Sequence, residues 1–186
     1  MNKETKNSQC PGCKVILPIQ ERIEHLQTVG FGRYGVASSE CLSLMNKVFL
    51  KEYECGRPLK TRLDAYAVQH PPHSEVQEKL GINPRLVAAS KQSVAIHLLA
   101  LYFMLEKKLE LSEVATVMNR ILASAQLENE ELIPPANLGS ITVVDVAQAT
   151  TCEEHIKLVW DWSNSAWNAW SGYHDTVRGW YEKYGK

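Results

Sequence analysis

From residue 38 onward the apolar positions recur at spacings of three and four, the signature of helices that each bury one face. Cys41, Leu44, Met45, Val48, Phe49 and Tyr53 form one stripe behind Ser38 and Ser39, which stand where an N-cap belongs, and Gly56 and Pro58 end the run. The segment Lys60 to His70 puts Leu63, Tyr66, Ala67 and His70 on the next stripe, and Pro71-Pro72 forbids continuation. A short helix is expected near Glu75 to Leu80. Leu86 to Lys107 is the most apolar segment and is expected to be the central helix, with His97 turned inward beside Ser90, Val94, Leu101 and Met104. Ser112 is placed to cap a helix reaching about Ala125, and Glu128 to Glu131 with Pro134-Pro135 marks an exposed loop. Thr142 with Asp145 and Thr151 with Glu154 both fit the capping-box pattern. Ile141 to Val146 therefore reads as a helix start, with a short strand as the alternative for its β-branched residues.

From Cys152 to about Tyr184 the same periodicity runs through His155, Val159, Trp162, Ala166, Ala169, Tyr173, Val177 and Trp180. It predicts one long final helix, with Gly172 as its point of interruption. All five tryptophans lie between Trp160 and Trp180, more than one seam can bury, so this helix is expected to pack on two sides. At the other end, Ile16 to Thr28 is weakly amphipathic, with Ile19, Ile23 and Leu26 at helical spacing and His25 beside them, before Gly30, Gly32 and Gly35 break it. The fold expected is all-α: one domain over residues 1–186, an N-terminal arm (1–37) attached to a helical bundle (38–186).

Composition narrows the class without changing the fold. The 186 residues suffice for one well-buried core, and 45% hydrophobic with 22% charged residues is the balance of an ordinary globular chain. A formal net charge of −1 supplies no general attraction to nucleic acid, and Lys47, Lys51, Arg57, Lys60 and Arg62 are interspersed with acids as on a solvated face. Val94 to Leu105 is too short for a membrane span and carries His97, and Met1 to Gln9 has no apolar signal core, so a cytoplasmic protein away from membranes is expected. In that compartment five cysteines stay reduced and serve as ligands in preference to forming disulfides.

Several motifs together, Cys10-Pro-Gly-Cys13, Ser39-Glu-Cys41, Asp64-Ala-Tyr-Ala-Val-Gln-His70-Pro, Gln92-Ser-Val-Ala-Ile-His97-Leu, Glu154-His155-Ile-Lys-Leu-Val and the C-terminal Trp167-Asn-Ala-Trp170 with His174 and Val177-Arg-Gly-Trp180, resemble a bacterial family of unknown function. The resemblance spans nearly the whole chain. It implies a shared fold and shared motif positions and lends no activity.

The chemistry begins at Cys10-Pro11-Gly12-Cys13, since two thiols on a Pro-Gly turn are half of a tetrahedral zinc site. No second Cys-x-x-Cys exists, so the other ligands come from Cys41, Cys55, Cys152 and the six histidines. Cys41 is the third choice because a helix N-terminus favours the thiolate a metal needs. His70, closing a buried face, is the fourth, with His73, Cys55 and water as alternatives. A thioredoxin-like redox pair is the rival for the turn, but no βαβ pattern follows it.

A second constellation is His97, His155 and His174 on core helices, with Asp64 and Tyr66 on another. His155 and His174 would lie about 28 Å apart on a straight helix at about 1.5 Å per residue, too far to share one metal. Three functional readings follow. The first is a structural zinc tying the arm to the bundle. The second is a small metal-dependent hydrolase with an open zinc position and Asp64 or His97 as acid-base group. The third is a module for an unknown small molecule or protein, marked by an exposed Trp167–Trp170 patch.

Overall fold

The computed structural model describes residues 7–10, 12–18, 39–56, 61–71, 84–125, 127 and 132–186. A hairpin comes first: β1 (Asn7–Gln9) pairs antiparallel with β2 (Ile16–Pro18), Gln9 opposite Ile16, and the Cys10–Cys13 turn joins them. Seven α-helices follow among the described residues: α1 (Ser39–Glu54), α2 (Thr61–Gln69), α3 (Pro84–Leu105), α4 (Leu111–Ser124), α5 (Val143–Val146), α6 (Cys152–Ala169) and α7 (His174–Trp180). A 3-10 turn (Ser171–Tyr173) precedes α7 and a π-helical turn (Tyr181–Gly185) follows it.

The expected helical character is therefore borne out, with local corrections. Ile16 to Pro18, expected to begin a helix, is a strand, because the hairpin register pairs its backbone with β1. His25, Gly30, Gly32, Gly35, Ser38, Pro58, His73, the helix near Glu75 to Leu80 and the loop Glu128 to Glu131 lie outside the described residues. The cap of α4 is Glu110, whose backbone N–H donates to Glu113, and Ser112 sits inside the helix with its carbonyl accepting from Thr116. At Thr142 the capping box forms as expected. At Thr151 only half does: Thr151 accepts from the Glu154 N–H, while the Glu154 carboxylate reaches Thr150 instead. The final helix breaks after Ala169, near Gly172, and resumes as α7.

The most enclosed element is the nine-residue α2, of which Thr61, Asp64 and every residue from Ala65 to Gln69 are buried. It packs chiefly against α3 and α6, while α3 also meets α4 and α7, and α1 lies across α5 and α6. Burial all round leaves the polar ends of α2 needing partners, and α6 supplies them. The Trp170 indole donates to the Val68 carbonyl at 3.1 Å, satisfying an acceptor that the end of α2 leaves without an intrahelical partner. The Trp162 indole donates to Gln69 Oε1 at 2.6 Å, and Gln69 Nε2 donates to the carbonyls of Leu138 and Ile141 at 2.9 and 2.8 Å. The tryptophan-rich helix thus bolts down the C-terminal end of α2, and the following residue is His70.

The cysteines are not all reduced, contrary to the sequence expectation. Cys55 and Cys152 form a disulfide, because the end of α1 and the start of α6 converge to a Cα separation of 5.4 Å, within bridging range. Cys10, Cys13 and Cys41 are in no disulfide among the described residues.

Candidate metal centre

Three separate pieces of chain deliver one cluster. The hairpin turn carries Cys10 and Cys13, held by hydrogen bonds from the Cys10 N–H to the Val15 carbonyl (2.8 Å) and from the Lys14 N–H to the Cys10 carbonyl (2.9 Å). Lys14 reverses the chain in the left-handed region at φ 65°. Cys41 sits in the first turn of α1. His70 follows α2. The four side chains are buried, and their ligand atoms all lie within 4.8 Å of one another. Among the described residues this is the one set of three or more potential ligands brought together.

The glycine of the turn is fixed by packing, not by its backbone angles. A Cβ on Gly12 would stand 2.0 Å from the Gln69 carbonyl oxygen and 3.0 Å from the His70 ring. The turn therefore rests directly on the backbone of α2's last residue, and only a residue without a side chain allows that approach.

His70 is oriented for coordination. Its Nδ1 lies 2.8 Å from the Tyr66 carbonyl, which can only accept, so Nδ1 carries a proton and, in the neutral ring, Nε2 carries the lone pair. Nε2 is sealed from solvent and meets no oxygen or nitrogen partner. The Tyr66 ring packs on the imidazole with centroids 4.2 Å apart.

The sulfurs crowd one another, with Cys13 and Cys41 Sγ 3.0 Å apart. Hydrogen bonding from Cys13 and then Cys41, helped by His70 nearby, pushes the Cys10 thiol well down. The same bond and the negative charge of Cys10 push Cys13 up. Burial lowers the His70 pKa, but hydrogen bonding to and charge on the Cys10 and Cys41 sulfurs outweigh it and raise the ring to about 9. Burial first, then the charge on Cys41, Cys13 and Cys10, pushes the Tyr66 hydroxyl up. Three sulfurs and one imidazole nitrogen, with no carboxylate among them, make a cluster that could hold a metal ion.

The chain matches, over residues 8–171, the model of a Family of unknown function (DUF5946). The chain belongs to this family. No curated protein and no solved structure matches it.

The four residues anticipated as ligands in this DUF5946 chain thus come together, and the alternatives Cys55 and Cys152 are spent on the disulfide. The supports behind the cluster, Gly12, Gln69, Trp162 and Trp170, act through contacts more than fifty residues apart in the chain, which periodicity does not report, whereas Tyr66 meets His70 from one helical turn away.

The second constellation does not assemble as a site. His97 Nδ1 lies 2.7 Å from Asp64 Oδ1, forming an imidazole–carboxylate pair between α3 and α2. His155 is fully buried, and neither ring nitrogen has a hydrogen-bond partner among the described residues. His174 is stacked on Trp167 at 3.8 Å, with Nε2 3.0 Å from the Trp167 carbonyl. The exposed tryptophan patch is also absent: Trp167 and Trp170 are 3% and 1% exposed, since their indoles are drawn inward to Glu106 and Val68. An open polar groove of about 690 Å³ runs between residues 135–141 and α6, lined by Asn137, Asn164 and Asn168, and includes none of the four clustered residues. No described helix is long and apolar enough to cross a membrane.

Proposed function

We propose that this protein is a zinc protein in which Cys10, Cys13, Cys41 and His70 hold a structural metal. The metal joins the N-terminal arm (1–37) to the helical bundle (38–186) as a single domain. The observation that carries this reading is the convergence of three thiols and one proton-free imidazole nitrogen, all buried, within 4.8 Å. Tetrahedral zinc at about 2.3 Å from thiolate needs donor atoms about 3.8 Å apart, so the widest separations must close by up to about 1 Å and the Cys13–Cys41 sulfurs, 3.0 Å apart, must open by about 0.8 Å. Zinc, when bound, neutralises the thiolates and converts their mutual repulsion into attraction. Cys3His is a closed, four-protein-ligand set, which is the pattern of structural sites.

The same count weighs against the hydrolase reading, which needs a water at the metal and a pocket beside it. Neither the groove beside α6 nor a second one between α1 and residues 146–149 contains any of the four clustered residues. The Asp64–His97 pair remains chemically competent for proton transfer, but it belongs to the opposite end of α2 from His70.

Binding free energies of about 10–16 kcal/mol for such sites equal a whole domain's stability. Cys10→Ser is therefore expected to abolish stoichiometric zinc and to lower the melting temperature. Retention of one equivalent of metal by that variant, measured by elemental analysis after gel filtration, overturns the assignment.

A further inference from the structure

The disulfide has a setting that the metal reading does not use. Cys152 is exposed and Cys55 half-buried, so the bond is within reach of an external thiol. Directly inward from it lies a sealed polar group. Glu52 stands three residues before Cys55 on α1, and His155 three residues after Cys152 on α6, one helical turn from the bond on each side. Glu52 is 2% exposed and ion-paired with Arg62 of α2. His155 is 0% exposed, and among the described residues neither its ring nitrogens nor the buried Thr61 hydroxyl has a hydrogen-bond partner.

The register of α2 against α6 brings these groups to one level. Trp162 bonds Gln69, and seven residues earlier on each helix stand His155 and Arg62, close enough for the Arg62 charge to act on the imidazole. Packing of α1 against α5 and α6, the Glu52–Arg62 ion pair to α2 and the disulfide hold this end of the molecule together. A buried imidazole with no partner gains hydrogen bonds as soon as water reaches it, so the junction is biased toward opening and the disulfide opposes that bias.

We propose that Cys55–Cys152 is a reversible redox site for a thiol reductant, and that its reduction admits water to the His155, Glu52, Arg62 and Thr61 cluster. The exchange is balanced with two equivalents of a thiol such as glutathione. The first thiolate attacks the exposed Cys152 Sγ, the protein S–S bond breaks, and Cys55 leaves as a thiolate that takes up a proton. A second thiolate attacks the mixed disulfide, releases Cys152 as a thiolate that is protonated in turn, and leaves oxidised glutathione. Two electrons and two protons enter the protein, and the Cys10, Cys13 and Cys41 set takes no part.

The test uses the full-length protein, with its metal content measured throughout, equilibrated in oxidised and in reduced glutathione buffers. In the oxidised buffer, tryptic mass spectrometry is expected to find a linked Cys55–Cys152 peptide. In the reduced buffer both thiols alkylate, amide exchange over residues 151–160 rises at least tenfold, and the His155 ring proton signal titrates closer to an ordinary histidine. The double variant Cys55→Ser/Cys152→Ser is expected to behave as the reduced protein in both buffers. Absence of the linked peptide under oxidising conditions overturns the proposal. So do identical exchange and identical His155 titration in the two wild-type states, a comparison that does not depend on the variant folding.

Discussion

Replacing Gly12 by alanine adds one methyl group and leaves every proposed ligand in place. The added Cβ would lie 2.0 Å from the Gln69 carbonyl oxygen, 2.9 Å from its carbon and 3.0 Å from the His70 ring. Carbon atoms do not approach a carbonyl oxygen closer than about 3 Å, so the turn or the end of α2 must retreat by about 1 Å or more. The α2 side cannot give easily, because the Val68 carbonyl is held by Trp170 and the Gln69 side chain by Trp162, Leu138 and Ile141. The turn therefore moves, taking Cys10 and Cys13 away from His70, whereas metal–ligand distances tolerate about 0.2 Å. We expect zinc affinity, measured by competition with a chromophoric chelator, to fall at least about 100-fold, which is about 2.7 kcal/mol. Gly179→Ala is the matched control: a Cβ there meets nothing within 4 Å, and alanine in a helix is expected to be neutral or to add up to about 1 kcal/mol. A Gly12→Ala protein that binds zinc within about threefold of wild type would refute the docking of the turn on α2.

Two further outcomes probe the bundle. Gln69→Leu strands the Trp162 N–H and removes the donors to the Leu138 and Ile141 carbonyls, at about 1–3 kcal/mol for each buried group left unpaired. A loss of about 3 kcal/mol or more is expected in urea unfolding, and an unchanged midpoint would show that the network carries no stability. Burial, followed by the charges of Lys51 and Arg62, holds the His155 pKa below its ordinary 6.5. The unfolded chain then takes up the proton first, so stability is complete above about pH 6.5 and falls as the pH drops below it, by at most about 1.4 kcal/mol per pH unit for one proton. In His155→Phe the slope of unfolding free energy between pH 5 and 6.5 should be shallower than in wild type; parallel slopes would contradict the assignment.

The helices of the bundle were legible because their period is written in local spacing. The Leu63, Tyr66, Ala67, His70 stripe and its Pro71 stop located α2 within a residue at either end. The four clustered residues were legible for a related reason: thiol pairs on tight turns, a cysteine at a helix start and a histidine at a helix end are local features with known preferences. What stayed hidden is the set of contacts made by chain folding. The hairpin that carries Cys10 and Cys13 has strands of three residues, too short for alternation to distinguish from the start of a helix. The Cys55–Cys152 bond joins residues 97 apart, and nothing near either cysteine marks the other as its partner. The tryptophans were read correctly as a packed helix face, but their polar task at the end of α2 depends on which carbonyls lie beneath the indoles.

The central claim is that three sulfurs and one nitrogen of this chain surround one zinc ion. The most direct measurement is zinc-edge X-ray absorption on the purified full-length protein, joined to elemental analysis. The account predicts one zinc per chain with three sulfur neighbours and one imidazole nitrogen at about 2.3 and 2.0–2.1 Å. A first shell with two or fewer sulfurs, or with a water oxygen in place of the His70 nitrogen, would contradict it.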